Sequence, residues 1–203
     1  DVAIMQNFAD QLAGANDNSA VQEVLRASTD IDQMMAYAAV DRAIRVDDGV
    51  FHWNCNLEGE CTPRNFYWYE NPDAQSFHLI PTDLDHAFEN ISSVVNPTSY
   101  IPDDFGVVSS CTPFVQGDDT QISAGCDKLT AGWASFTTEY VAAKSQLQSP
   151  MADAQLLVDY WAKQIDAATK NAAETHSDAL SASDWELALQ GLKSALLVAK
   201  QGL

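Results

Sequence analysis

Basic residues are scarce in this sequence. Ten Lys and Arg stand against 29 Asp and Glu among 203 residues, a formal charge of −19. Such a surface repels phosphate backbones and anionic lipid, which argues against a nucleic-acid or membrane-surface partner unless cations mediate the contact. No apolar run approaches the roughly 20 residues that span a bilayer. The opening Asp1-Val2-Ala3 lacks the basic start of a signal peptide, so any targeting segment is expected to have been removed already. There is no glycine-rich loop near the start of the chain and no lysine before Lys128. No C-x-x-C or H-x-x-x-H spacing occurs, and His52, His78, His86 and His176 are scattered, which speaks against a zinc centre.

The chain does have enough apolar content, 46%, to bury a real core. It also has four cysteines in two local pairs. Cys55 and Cys61 flank a tight polar segment, and Cys111 and Cys126 bracket a loop containing Gly117-Asp118-Asp119 and Gly125. Three pairings are possible, and loop composition favours the local one. Together with the acidic surface, paired cysteines point to an exported, secreted or extracytoplasmic protein.

The stretch from Asn65 to Asp85 concentrates the chemistry. Phe66-Tyr67-Trp68-Tyr69 is aromatic and strand-prone, Asn71-Pro72-Asp73 is turn chemistry, and Phe77-His78-Leu79-Ile80 is a second strand stopped by Pro81. Folding this hairpin brings Asn65 towards Asp83 and Asp85. An amide and two carboxylates at one end of a rigid ribbon offer oxygen ligands for a hard cation, Mg2+ (or Mn2+/Ca2+). The plain alternative is that Asp83 and Asp85 cap the next element.

Helical periodicity accounts for most of the remainder. Ile4, Met5, Phe8 and Leu12 recur at helical spacing, Ser19 is placed to cap a short helix through Arg26, and Thr29 or Asp30 to cap a longer one through Ile44. That helix is expected to stop at Gly49 in a left-handed conformation. Asp47 and Asp48 lie at its end, where the helix dipole disfavours carboxylates, so at least one reads either as a solvated turn residue or as a group kept for chemistry. Residues 90–123 read as an irregular region braced by the second cysteine pair. From Asp127 the pattern is helical again, with one apolar face through Leu129, Trp133, Phe136, Tyr140 and Leu147, and a second through Leu156, Leu157, Tyr160, Trp161 and Ile165. A third runs through Trp185, Leu189, Leu192, Leu196 and Leu197. All three read as core. The expected class is mainly α with a small β-hairpin.

The order helix, Asp48, Asn65, aromatic strand, N-P-D turn, F-H-L-I-P strand and Asp83-Leu84-Asp85-His86-Ala87-Phe88 resembles the CotH family of spore-coat and secreted protein kinases. Members of that family read N-x-D, then N-Y-Y-L-Y, a P-D turn and I-P-W-D-L-D-x-A-F-G. Ser183-Asp184-Trp185-Glu186 through Lys200 resembles the family's closing helices, so the similarity spans residues 30–203, after an N-terminal helical segment at 1–29. The resemblance implies the C-terminal lobe of a protein-kinase-like fold, with a disulfide-pinned insertion at 49–64, a metal-site hairpin at 65–88 and a helical scaffold at 127–203. It implies that Asp48 orients or deprotonates the acceptor hydroxyl. Asn65 and Asp83 would hold Mg2+ on ATP phosphates, with Asp85 as a further ligand or a support.

The departures from the family carry information of their own. Val46-Asp47-Asp48 keeps the Asp of N-x-D but not the Asn, with Asp47 as the alternative. Sixteen residues separate Asp48 from Asn65, against about four in a kinase catalytic loop. Glu89 replaces the glycine after Phe88. Nothing upstream supplies a nucleotide platform or its lysine, so the resemblance implies either one half of a processed kinase, completed by a complementary N-terminal chain and acting on a protein substrate, or a non-catalytic module, a pseudokinase. Asp104-Phe105-Gly106 spells the kinase metal tripeptide but lies beyond the hairpin, and Asp41-Arg42 lies inside a helix. Both read as coincidences.

Overall fold

The computed structural model describes residues 2–46, 48–74, 76–88, 108, 110–116 and 119–203. Helices α1 (Val2–Gly14), α2 (Asn18–Ser28) and α3 (Ile31–Ile44) come first. The cap of α2 is Asp17, whose side chain accepts from the Ala20 amide at 2.9 Å, rather than Ser19, which lies within the first turn. Asp30 caps α3 by accepting from the Gln33 amide. The left-handed residue that ends α3 is Arg45, at φ 50°, and not Gly49, which lies outside the left-handed region. Gly49 sits in close quarters instead: a Cβ there would stand 3.1 Å from Asp41 Oδ1 and 3.2 Å from Val46 Cγ1, so one of these neighbours would have to give way slightly.

The strands form two sheets. Strands β1 (Trp53–Cys55), β2 (Cys61–Thr62), β5 (Phe114–Gln116) and β6 (Asp119–Ile122) make an antiparallel sheet in the order β2-β1-β6-β5. The inserted segment therefore does not hang as an isolated loop: Asn54 pairs with Gln121 and Cys55 with Thr120. The region read as irregular supplies two of the four strands. Sequence alternation could not reveal this, because strands of three and four residues carry too little pattern. Both local disulfides form, Cys55–Cys61 across β1 and β2 and Cys111–Cys126 onto the short 3-10 turn Ala124–Cys126. No free cysteine remains. Disulfides of this kind belong to oxidising, extracytoplasmic surroundings.

The second sheet is the expected hairpin, β3 (Phe66–Asn71) with β4 (Ser76–Pro81), in register from Phe66↔Pro81 to Asn71↔Ser76. Asn71 Oδ1 accepts from the amides of Asp73 and Ala74, fixing the turn. Alternation decides which face enters the core. Trp68, Phe77 and Leu79 point inward, with the Trp68 ring 5.8 Å from Trp133 and Phe77 5.5 Å from Phe8, while Tyr67, Tyr69 and Ile80 stay exposed. Phe8, Val21, Leu25, Met35, Phe77, Trp133 and Phe136 belong to one buried cluster, so α1 and α2 share a core with α3, the hairpin and the helical region beyond it.

Helices α4 (Lys128–Ala134), α5 (Thr137–Thr175) and α6 (Ala182–Gly202) complete the chain. Trp133 and Phe136 are fully buried, as their periodicity implies. The long α5 packs against α3 and then runs antiparallel to α6, with Lys193–Asp159 and Lys170–Glu186 ion pairs along the seam. Ser181 caps α6 and bonds Asp184, three residues on. The face read as core through Leu156, Leu157, Tyr160, Trp161 and Ile165 is instead solvent-exposed, because α6 takes the opposite side of α5, where Ala162 is buried. Among the described residues no helix is long and apolar enough to cross a membrane. The molecule is mainly α with small antiparallel sheets.

Candidate functional site at the end of the hairpin

Asn65 sits just before β3 in the left-handed region, at φ 57°. Among residues with a Cβ, asparagine tolerates that conformation best. The twist turns its side chain back on the α3–β1 connection, where Nδ2 donates to the Asp48 carbonyl at 2.8 Å and to Asp48 Oδ2 at 3.0 Å. Its own carbonyl accepts from the Thr82 amide at 2.8 Å, extending the hairpin ladder by one bond. Asn65 thus clasps Asp48 on one side and the chain leaving β4 on the other. The contact crosses 17 positions of sequence, including the whole inserted segment.

The other carboxylates are placed differently. Asp83, the next residue after Thr82, is also left-handed, at φ 52°, and exposed. Asp85 is exposed in the adjoining turn. Phe88, at φ 70°, donates its amide to the Ile44 carbonyl at 2.8 Å and packs beside Ala43, Ala195 and Ala199. The end of α3, the end of the hairpin and the last turns of α6 are thereby tied together. Asn65 and Asp83 lie next to the two paired ends of the hairpin, but the direct bonds of the Asn65 side chain go to Asp48 rather than to Asp83 or Asp85. The alternative Asp47, the Asp104 tripeptide and Glu89 lie outside the described residues.

Asp48 is the chemically unusual group. It is half-buried, with one carboxylate oxygen held by Asn65, while Oδ1 is enclosed and has no hydrogen-bond donor among the described residues. An enclosed acceptor without a donor costs about 1–3 kcal/mol, so such atoms call for an explanation.

Beneath Asp48 lies a polar network that sequence reading missed. Asp41 is completely buried in α3. Its Oδ1 accepts from the Tyr37 hydroxyl at 3.0 Å and its Oδ2 from Arg42 Nε at 2.9 Å, with Arg42 Nη2 bonded to the same oxygen. Burial, and then the Asp41 carboxylate beside it, push the Tyr37 hydroxyl well above the ordinary phenol range, so it remains a donor. The Arg42 guanidinium also stands 5.6 Å over the Phe51 ring. The Asp41 carbonyl accepts the Val46 amide, and Asp41 Oδ1 faces Gly49, so this network braces the turn that carries Asp48. The available signal was the four-residue spacing of Tyr37 and Asp41, which places them on one helix face.

Among the described residues no three His, Cys, Asp or Glu side chains converge as a metal cage. The donors present are nonetheless of the right kind for Mg2+, which commonly takes one or two carboxylates and fills its remaining positions with water and substrate phosphate. Scans against family models, curated proteins and solved structures returned no match to this chain.

Proposed function

We propose that the chain is the C-terminal half of an exported CotH-like protein kinase, which transfers phosphate from ATP to secreted or surface proteins together with a separate N-terminal chain. The observation that carries this reading is the Asn65 clasp on Asp48. A carboxylate and an amide 17 positions apart are locked together at the hairpin end that also bears Asp83, an arrangement that a solvated turn does not require. In this reading Asp48, positioned by the Asn65 clasp, orients the acceptor hydroxyl or takes its proton once substrate binding opens the enclosed carboxylate to it. Asn65 and Asp83 would hold Mg2+, with Asp85 in support, and the ion would neutralise phosphate charge. The exposed Tyr67, Tyr69 and Ile80 lie on the outer face of the same ribbon, open to the companion chain that would bring the missing lysine and phosphate-binding loop.

Calorimetric melting with Mg2+ and ATP tests this. Ligand at about a hundred times its Kd adds roughly 2.7 kcal/mol, equivalent to some 5–10 °C in a chain of this size. Asp83→Asn should remove most of that rise, and Asp104→Asn should leave it intact. No ligand-dependent rise, or sensitivity at Asp104 instead, would overturn the assignment. A second reading is favoured by the exposure of Asp83 and Asp85: a non-catalytic binding module that keeps the lobe and a divalent ion. It gives the metal shift without the nucleotide shift. Intact-mass analysis of the natural preparation separates the two further, because only the kinase reading requires a lysine-bearing companion chain.

A further inference from the structure

Five large apolar side chains, Leu156, Leu157, Tyr160, Trp161 and Ile165, are between 44% and 66% exposed on α5. At 100° per residue they cover a half-turn-wide face opposite the side that buries Ala162 against α6. The charged residues inside this span do not interrupt it: Asp159 is turned to α6, where it pairs with Lys193, and Lys163 lies beyond the edge of the face. Together the five expose on the order of 600 Å2, the upper end of what a monomer's largest patch shows and most of the roughly 800 Å2 per partner of a standard interface.

Charge decides what can cover the face. Residues 1–136 carry twenty-one acidic and five basic side chains, whereas residues 137–203 carry eight and five. Nearly all the net charge therefore belongs to residues 1–136, and the α5–α6 hairpin is close to neutral. Two copies can therefore meet through this hairpin without the repulsion that two acidic bodies would meet. We propose that the chain forms a homodimer through this face, two α5 helices pairing antiparallel about a two-fold axis near Tyr160 and Trp161.

The antiparallel sense comes from the same electrostatics. A parallel pair would set two acidic bodies side by side. An antiparallel pair sends them to opposite ends: residue 160 lies about 35 Å along α5 from its start, so the bodies stand several Debye lengths of about 8 Å apart. The stripe is also self-complementary under such an axis. Leu156 on one helix falls opposite Ile165 on the other and Leu157 opposite Gln164, while the aromatic pair meets its own copy, as an isologous interface requires. This inference is independent of the phosphotransfer reading.

Sedimentation equilibrium of the full chain at up to about 100 μM, where a micromolar Kd is saturated, should give twice the chain mass. Added salt should strengthen the association by screening the bodies. The Leu157→Glu, Trp161→Glu double variant should sediment as a monomer while keeping the wild-type melting curve, since both side chains are exposed in the folded chain. A wild-type monomer at the top concentration in high salt, or a double variant that still dimerises, would overturn the proposal.

Discussion

Replacing Asn65 separates two contributions that the structure assigns to one residue. The side chain makes two hydrogen bonds to Asp48, one of them to a carboxylate. Neutral bonds contribute about 1 kcal/mol and bonds to a charged group about 1.5–3. Asn65→Gly keeps the φ of 57° at no steric cost but loses both bonds, so it should destabilise the fold by roughly 2.5–4 kcal/mol. Asn65→Ala loses the same bonds and forces a Cβ into the left-handed region, adding about 1 kcal/mol. The expected order is therefore wild type, then Gly, then Ala. Glycine's greater freedom in the unfolded chain works against that order, by about 0.4–1 kcal/mol, so a measured gap near zero marks the lower edge of the expectation. Urea unfolding with the disulfides intact gives both differences, and an unchanged slope shows that the denatured state is comparable. If the glycine variant is as stable as wild type, the clasp on Asp48 contributes nothing. If alanine is clearly more stable than glycine, the left-handed backbone at 65 is wrong.

Thiol titration of the denatured, unreduced chain should find no free cysteine, and two free thiols would refute the pairing. Removing the Cys111–Cys126 link, which closes a loop of 15 residues, should cost about 3 kcal/mol in the chain-entropy model. Asp41→Asn should be among the most damaging single changes, at about 3–5 kcal/mol, because it leaves the nearly buried Arg42 guanidinium without its counter-charge. A loss below about 1 kcal/mol in thermal unfolding would show that the network does not brace the Asp48 turn.

The local pieces were legible because each rests on short-range rules. Asp30 caps α3, Asn71 closes the hairpin, Pro81 ends β4, and the cysteines pair with near neighbours. Alternation in Phe66–Asn71 and Ser76–Pro81 was enough to give the hairpin and to bring Asn65 to the end that bears Asp83. The four-stranded sheet was not legible, because β1 and β6 are a few residues each and their pairing spans more than sixty positions. Nor was the bond from Asn65 to Asp48, which depends on a left-handed backbone at 65 and on where the inserted segment returns.

Helical periodicity shows that a face is apolar and is silent about what covers it. Trp133 and Phe136 are covered by α2, α3 and the hairpin, whereas Tyr160 and Trp161, with the same spacing signal, face solvent because a helical hairpin has one seam and two outer sides. Composition and spacing thus determined the helices, the hairpin, the disulfides and the acidic surface of this protein, all of which arise from contacts between near neighbours or from summed charge. Only the tertiary structure decided which apolar faces are buried, which glycine sits in close quarters, and which two residues clasp. Each of those depends on where a distant segment of chain comes to rest.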